Sequence, residues 1–219
     1  MKVTYLFNSG FVVELDKHIL IFDYFKGALD TLDKNKKVYV FSSHNHSDHF
    51  NKEIYNFNHS NITYILDSGC DGEGIKVKPH NDYQIDDLKI HTLISTDEGV
   101  AFIVEVEGKR IYHSGDLNWW DWDGEPKEWL ANQERVFKEE INSISDLDFD
   151  LMFVPLDIRL EGNASKSIDY IENKCKVKTI IPMHCFSHHQ QMSELVDQPP
   201  LNKYHNILKI KKRHQIFDV

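Results

Sequence analysis

The amino-acid sequence predicts a mixed α/β layered domain in which sheets bury their apolar faces on each other and helices cover the outside. Three observations point there. Strand-like runs rich in β-branched and aromatic residues dominate the first two thirds, helical patterns alternate with strands in the last third, and no linker, repeat or low-complexity segment divides them. A length of 219 residues suits one large core, so a single domain over residues 1–219 is expected.

The strands are taken in chain order. "VTYLF", "FVVEL", "HILIFD", "KVYVFSS" and "ITYIL" come first, and "LKIHTLI", "VAFIVEVEG" and "KRIYHSG" follow, separated by Gly, Asn and Asp turns. The best helix is "EPKEWLANQERVFKEEINSI": Pro126 suits a first turn, and Trp129, Leu130, Val136, Phe137 and Ile141 fall at helical spacings. Later, "DLMFVPL" and "VKTIIPMH" read as strands with the helix-like "ASKSIDYIENKC" between them.

A net charge of -10 argues against a broad phosphate-binding surface, so nucleic acid is not an expected partner. The basic stretch "LKIKKRH" is the exception and reads as a solvated tail face. No apolar run is long enough to cross a bilayer, and "MKVTYLFNSGFVVELD" lacks the apolar core of a secretion signal. A soluble cytoplasmic protein without a membrane partner is expected. Cys70, Cys175 and Cys185 form no Cys-x-x-Cys pair and read as free thiols of a reducing compartment.

The densest chemical signal is "FSSHNHSDHF", which places His44, His46, Asp48 and His49 within six residues. "VYVFSS" is a good strand, so these side chains lie in the loop at its C-terminal end. Imidazole and carboxylate together suit a borderline cation such as Zn²⁺, and the bland alternative is a solvated polar loop.

The stretch "SHNHSDHF" resembles the His-x-His-x-Asp-His signature of the metallo-β-lactamase-fold metal-dependent hydrolases. "VVELDKHILIFDY" is similar to their opening strands, "KRIYHSGDLNWW" to their Gly-Asp motif after a hairpin, and "TIIPMHCF" to the closing strand that delivers the last histidine. The resemblance covers nearly the whole chain, and its nearest branch is the small lactonase-like one, similar to L-ascorbate-6-phosphate lactonase. It implies a four-layer αββα sandwich. It also implies His44 and His46 in a first metal site, Asp48 and His49 in a second, Asp116 bridging both, and His184 completing the second. One or two divalent cations are implied, Zn first, with Mn or Fe as alternatives.

The pattern breaks at one point. Such proteins supply a third histidine to the first metal from the loop that here reads "STDEG", and the expected position falls near Ser95. Asp97 is a chemically sound replacement ligand, because a carboxylate can replace imidazole or favour a harder cation such as Mn²⁺. His91 lies four residues before Ser95 and is a poor substitute. Otherwise the first site is weak or vacant, leaving a mononuclear centre at Asp48, His49, Asp116 and His184.

Around these ligands, Asp23 is expected to hydrogen-bond a ligand histidine. His113 is expected to be a support, not a ligand. Trp119, Trp120 and Trp122 are expected to form a pocket wall, Arg159 to bind a substrate carboxylate or phosphate, and His188, with His189, to lie on the rim. The implied function is hydrolysis of a small ester, lactone or phosphoester by metal-bound hydroxide, with Asp48 and Asp116 as catalytic carboxylates. Two alternatives stand beside it: a non-catalytic metal-binding or sensing protein with a degraded first site, and a nuclease of the same fold. A homo-oligomer is compatible with either.

Overall fold

The computed structural model describes residues 1–29 and 31–219. In its first half, β1 (Lys2–Phe7), β2 (Gly10–Glu14), β3 (His18–Phe22), β4 (Lys37–Ser42), β5 (Ile62–Asp67) and β6 (Ile75–Val77) follow one another across one sheet. The pairings β1·β2 and β2·β3 are antiparallel, and those from β3 to β6 are parallel. Side chains alternate across this sheet with the period of two that a strand imposes. Tyr5, Phe11, Leu20, Phe22, Tyr39 and Phe41 enter the main core, whereas Val12, Ile19, Ile21, Val38 and Val40 join a second cluster on the opposite face.

A second sheet begins with β7 (Asp82–Ile85), β8 (Leu88–Ile94), β9 (Val100–Val106) and β10 (Lys109–His113), an antiparallel meander. The chain continues through α1 (Lys127–Ser143), β11 (Asp148–Phe149), β12 (Leu151–Pro155), α2 (Lys166–Lys174), β13 (Lys176–Val177), β14 (Ile180–Met183), α3 (His189–Val196) and β15 (Ile216–Asp218). β12 and β14 add to β10 in parallel, joined by a crossover through α2. β11 and β13 pair separately.

The two sheets face each other across a core of aromatic rings. Phe11 of β2 and Phe153 of β12 stack with ring centroids 4.1 Å apart. Each such fully buried ring contributes about 1.5–3 kcal/mol by leaving water. The second sheet is covered on both faces, which is why β9 reads as the near-continuous apolar run "VAFIVEV". Helix α1 turns Phe137 and Ile141 into this core, and α2 turns in Ile168 and Ile171.

The two outer layers are unequal. Over the first sheet the cover includes a single 3₁₀ turn, Lys52–Asn56, whose Ile54 is fully buried and whose start is capped by Asn51 accepting from the Glu53 amide. Five strands escape the sequence pattern: β6, β7, β11, β13 and β15 have only two to four residues each, too few for an alternation to register.

The basic stretch near the C-terminus is not a solvated tail. Ile210 is fully buried, Leu208 N donates to Ile180 O, and His214 N donates to Tyr5 O at 2.9 Å, so backbone pairing fastens this segment to both sheets. Lys211, Lys212 and Arg213 nevertheless keep their side chains exposed. The three cysteines are free and buried. Among the described residues, no helix is long and apolar enough to cross a membrane.

Candidate metal centre

The metal loop follows β4 directly, and its first residues are locked by Asp23 at the end of β3. Ser43 donates to Asp23 twice, through its amide and its hydroxyl, each at 2.7 Å. The same hydroxyl lies 3.0 Å from His44 Nδ1, and Asp23 Oδ2 lies 2.7 Å from His49 Nδ1. One buried carboxylate therefore sets the tautomer of two imidazoles, leaving both Nε2 atoms without a proton to face the centre.

Two glycines let neighbouring loops close on this turn. A Cβ on Gly99 would stand 1.9 Å from Ser43 O, and one on Gly115 would stand 2.6 Å from Ser43 Cβ; both residues also have positive φ, +72° and +51°. Gly115 delivers Asp116 from β10. From β14 comes His184, with φ of 64°, and Asp23 and Asn8 also adopt left-handed backbone at 42° and 53°. Such conformations persist where surrounding contacts over-determine them.

Asp116 lies at the meeting point. Its Oδ1 is 3.2 Å from His49 Nε2 and 3.5 Å from His184 Nε2, and its Oδ2 is 3.5 Å from His44 Nε2. Asp48 Oδ2 is 3.5 Å from His49 Nε2 and 3.8 Å from His184 Nε2. Among the described residues, three overlapping groups of potential ligand atoms result: His44, His49 and Asp116; Asp48, His49 and His184; and His46, Asp97 and Asp116. The residues fit a cation, because His49 Nε2 and Asp116 Oδ1 are buried without a hydrogen-bond partner among the described residues although they face each other.

The charges tell the same story. Burial opposes ionisation of Asp116, yet His49 and His184 hold its carboxyl far below the usual range. Burial likewise disfavours charge on His49, but Asp116 and Asp23 outweigh it and raise the imidazole well above its ordinary value. A metal bound between them would compete with a proton for the same donor atoms. His44 is pushed down to about 4 by burial and by His49, which keeps it neutral and ready to ligate.

Two supporting residues carried no sequence signal that we read. Asn8 donates to Asp48 Oδ2 at 2.9 Å and accepts from the Phe186 amide, tying the turn after β1 to the metal loop and to the loop after β14. Asp157, at the end of "FVPLD", lies 3.0 Å from His184 Nδ1 and also holds the Arg159 guanidinium. Burial works against its charge, but His184 and Arg159 draw the carboxyl down to about 2. An aspartate that ends a buried strand, as Asp23 does in "ILIFD", was the available signal.

The centre opens on a cleft of about 480 Å³ lined by His46, Asp48, Asp97, Asp116 and His184, with Phe25, Trp120, Trp122, Trp129, Arg159 and Phe186 among its walls. Trp120 and Trp122 stack at 5.8 Å, and the Trp120 indole donates to Asp116 O. Trp119 does not join this wall. Its amide donates to Ser167 Oγ and its ring packs on Phe137 and Tyr170, because the turn sends adjacent residues to opposite sides. His188 is also outside the cleft: it is exposed just before α3, and the turn after β14 presents Phe186 to the cleft instead. His189 lies against Tyr5 with its Nδ1 3.2 Å from Cys185 Sγ. His113 is buried against Ser9 O and stacks on Phe22, a support as expected. His91 pairs with Asp82 on β8, away from the centre.

Comparison with known proteins agrees with this architecture. The family profile described as "Beta-lactamase superfamily domain" matches residues 2–121, a span that includes the metal loop and Asp116. The chain belongs to the metallo-β-lactamase superfamily. Within the superfamily, a protein called a UPF0173 metal-dependent hydrolase from Pelotomaculum thermopropionicum is 24% identical over 209 residues, covering 84% of each chain. The structure of Igni18, a metallo hydrolase from Ignicoccus hospitalis, superimposes with a TM-score of 0.64 at 18% identity, covering 100% of this chain and 98% of that one. A structure described as a possible metal-dependent hydrolase from Veillonella parvula gives 0.66 at 9% identity, covering 100% and 99%. The superfamily fold of two mixed sheets flanked by helices is thus shared at very low identity.

Proposed function

We propose that this chain is a metal-dependent hydrolase of a small ester, lactone or phosphoester, with His44, His46, Asp48, His49, Asp116 and His184 holding one or two divalent cations, Zn²⁺ first. The observation that carries this reading is the pair of buried, unpartnered atoms His49 Nε2 and Asp116 Oδ1 at the floor of an open cleft. When bound, a divalent cation polarises a carbonyl or phosphoryl oxygen and acidifies water.

The chain's own groups supply the rest. Asp48 lines the cleft, and Asn8 fixes its orientation, so it is the carboxylate placed to align an attacking water or take its proton. Asp23 and Asp157 hold His49 and His184 with their Nε2 atoms inward. The stacked Trp120 and Trp122 give a flat apolar wall that excludes water and suits a compact ring, which favours a lactone within the wider ester class.

The test is elemental mass spectrometry on protein purified without added metal or chelator, with a lactone, ester and phosphodiester screen on the same sample. Metal retention and turnover are expected to disappear together in His49→Ala and in His184→Ala. Full turnover by a metal-stripped sample would overturn the reading.

A further inference from the structure

We propose that Lys26, Arg159 and Arg213 form a cationic collar at the cleft mouth that selects substrates carrying an anionic group beside a flat apolar part. The proposal rests on the hydrolase reading for the use of the cleft. Its starting point is the fate of the basic C-terminal stretch. Antiparallel pairing of β15 with β1, Lys2 opposite Asp218 and Thr4 opposite Ile216, carries the preceding residues towards the Phe7 end of β1. That end leads into Asn8 and the metal loop.

There the aromatic rings line up. Phe7 packs on Phe25 at 5.8 Å and on Phe186 at 6.5 Å, and both of those partners line the cleft. Three cations sit on this strip. Lys26 Nζ is 4.0 Å from the Phe7 ring centre and 4.8 Å from that of Phe25, and the Arg213 guanidinium is 4.2 Å from that of Phe7. The Arg159 guanidinium is 5.4 Å from the ring centres of both Trp122 and Phe186.

Their charge balance differs. Arg159 is already neutralised by Asp157. Lys26 and Arg213 have no carboxylate within salt-bridge distance among the described residues, and both side chains are exposed. Aromatic faces hold a cation in place without cancelling its charge. Two uncompensated positive charges on the ring that backs the cleft wall, in a chain of net charge -10, make a local attractor for an anion. Phe25, Trp122 and Phe186 between them and the metal centre offer apolar surface for the rest of the molecule.

The test is titration calorimetry of the metal-loaded protein with phenyl phosphate, benzoate and benzyl alcohol at low and high salt. The double variant Lys26→Met/Arg213→Met keeps the aliphatic cover over Phe7 while removing both charges. It is expected to bind both anions roughly tenfold more weakly, leave benzyl alcohol unchanged, and lose most of the salt dependence. Arg213→Lys retains the charge and is expected to bind like the native protein. The anion whose affinity falls further in the double variant names the group that the collar prefers. An anion-to-neutral preference unchanged in the double variant, at an unchanged unfolding temperature, would overturn the proposal by assigning that preference to the metal. Collar-dependent binding without turnover of any screened substrate would leave the collar standing and defeat the hydrolase reading instead.

Discussion

Asp23 Oδ2 lies 2.7 Å from His49 Nδ1, fully removed from solvent. The contact joins the end of β3 to the metal loop after β4, and it shares its carboxylate with Ser43. In Asp23→Asn the side chain can still accept one hydrogen bond but loses the charge that favours a proton on Nδ1. Metal affinity is expected to fall 10- to 100-fold, read by competition with a chromophoric chelator.

Asp157 repeats the arrangement for His184 and adds Arg159 to it. Asp157→Asn is therefore expected to weaken metal binding by a similar factor and also to loosen Arg159. Arg159→Met should leave metal affinity within about threefold of native, since that residue touches the ligand histidine only through Asp157. Equal losses in both variants would contradict this division of labour.

Asp97 stands with His46 and Asp116 where ligand atoms lie within 4.8 Å of one another. Burial and the nearby Asp116 raise its carboxyl above the usual range, a cost that a cation between them would relieve. Removing the carboxylate in Asp97→Ala is expected to lower metal content from near two per chain to near one. Asp97→His should keep two and strengthen the preference for Zn²⁺ over Mn²⁺. Elemental analysis after dialysis against equimolar metals reads both, and equal metal content in native and Asp97→Ala protein would remove Asp97 from the ligand set.

Gly99 and Gly108 share nearly the same backbone, with φ of +72° and +70°, but only Gly99 has Ser43 O where its Cβ would go. Gly108→Ala is expected to cost about 1 kcal/mol, the ordinary penalty of left-handed backbone. Gly99→Ala adds a backbone clash and should cost about 3 kcal/mol or more. Urea unfolding of the two variants separates the terms.

Asp150 accepts from the Arg110 amide at 3.0 Å and from Lys178 Nζ at 2.8 Å. Burial opposes its charge, but these donors hold the carboxyl below the usual carboxylate range. A depressed carboxyl stabilises the fold above its unfolded value, and that stabilisation is lost as pH falls through the lower folded value. Asp150→Asn is thus expected to be less stable than the native protein at neutral pH, with the gap closing below about pH 4. A gap that stays constant from pH 7 to pH 3 would assign the effect to lost packing.

Much of this protein was legible one segment at a time. The strands β1–β5 and β8–β10 announce themselves through local alternation or continuous apolar runs. The ligands His44, His46, Asp48 and His49 are adjacent in the chain, and Asp116 and His184 each end a readable strand. What the sequence determined by itself is therefore the set of strands and the donor chemistry at their ends, because both depend on neighbours only a few residues away. Tertiary structure alone decided that Asn8 holds Asp48 across 40 positions and Phe186 across 178. It decided too that Trp120 faces the cleft while Trp119 faces the helices, and that the basic C-terminal stretch is fastened to both sheets. These relations depend on sheet order and loop closure, which bring distant positions together and leave no periodicity in the chain to reveal them.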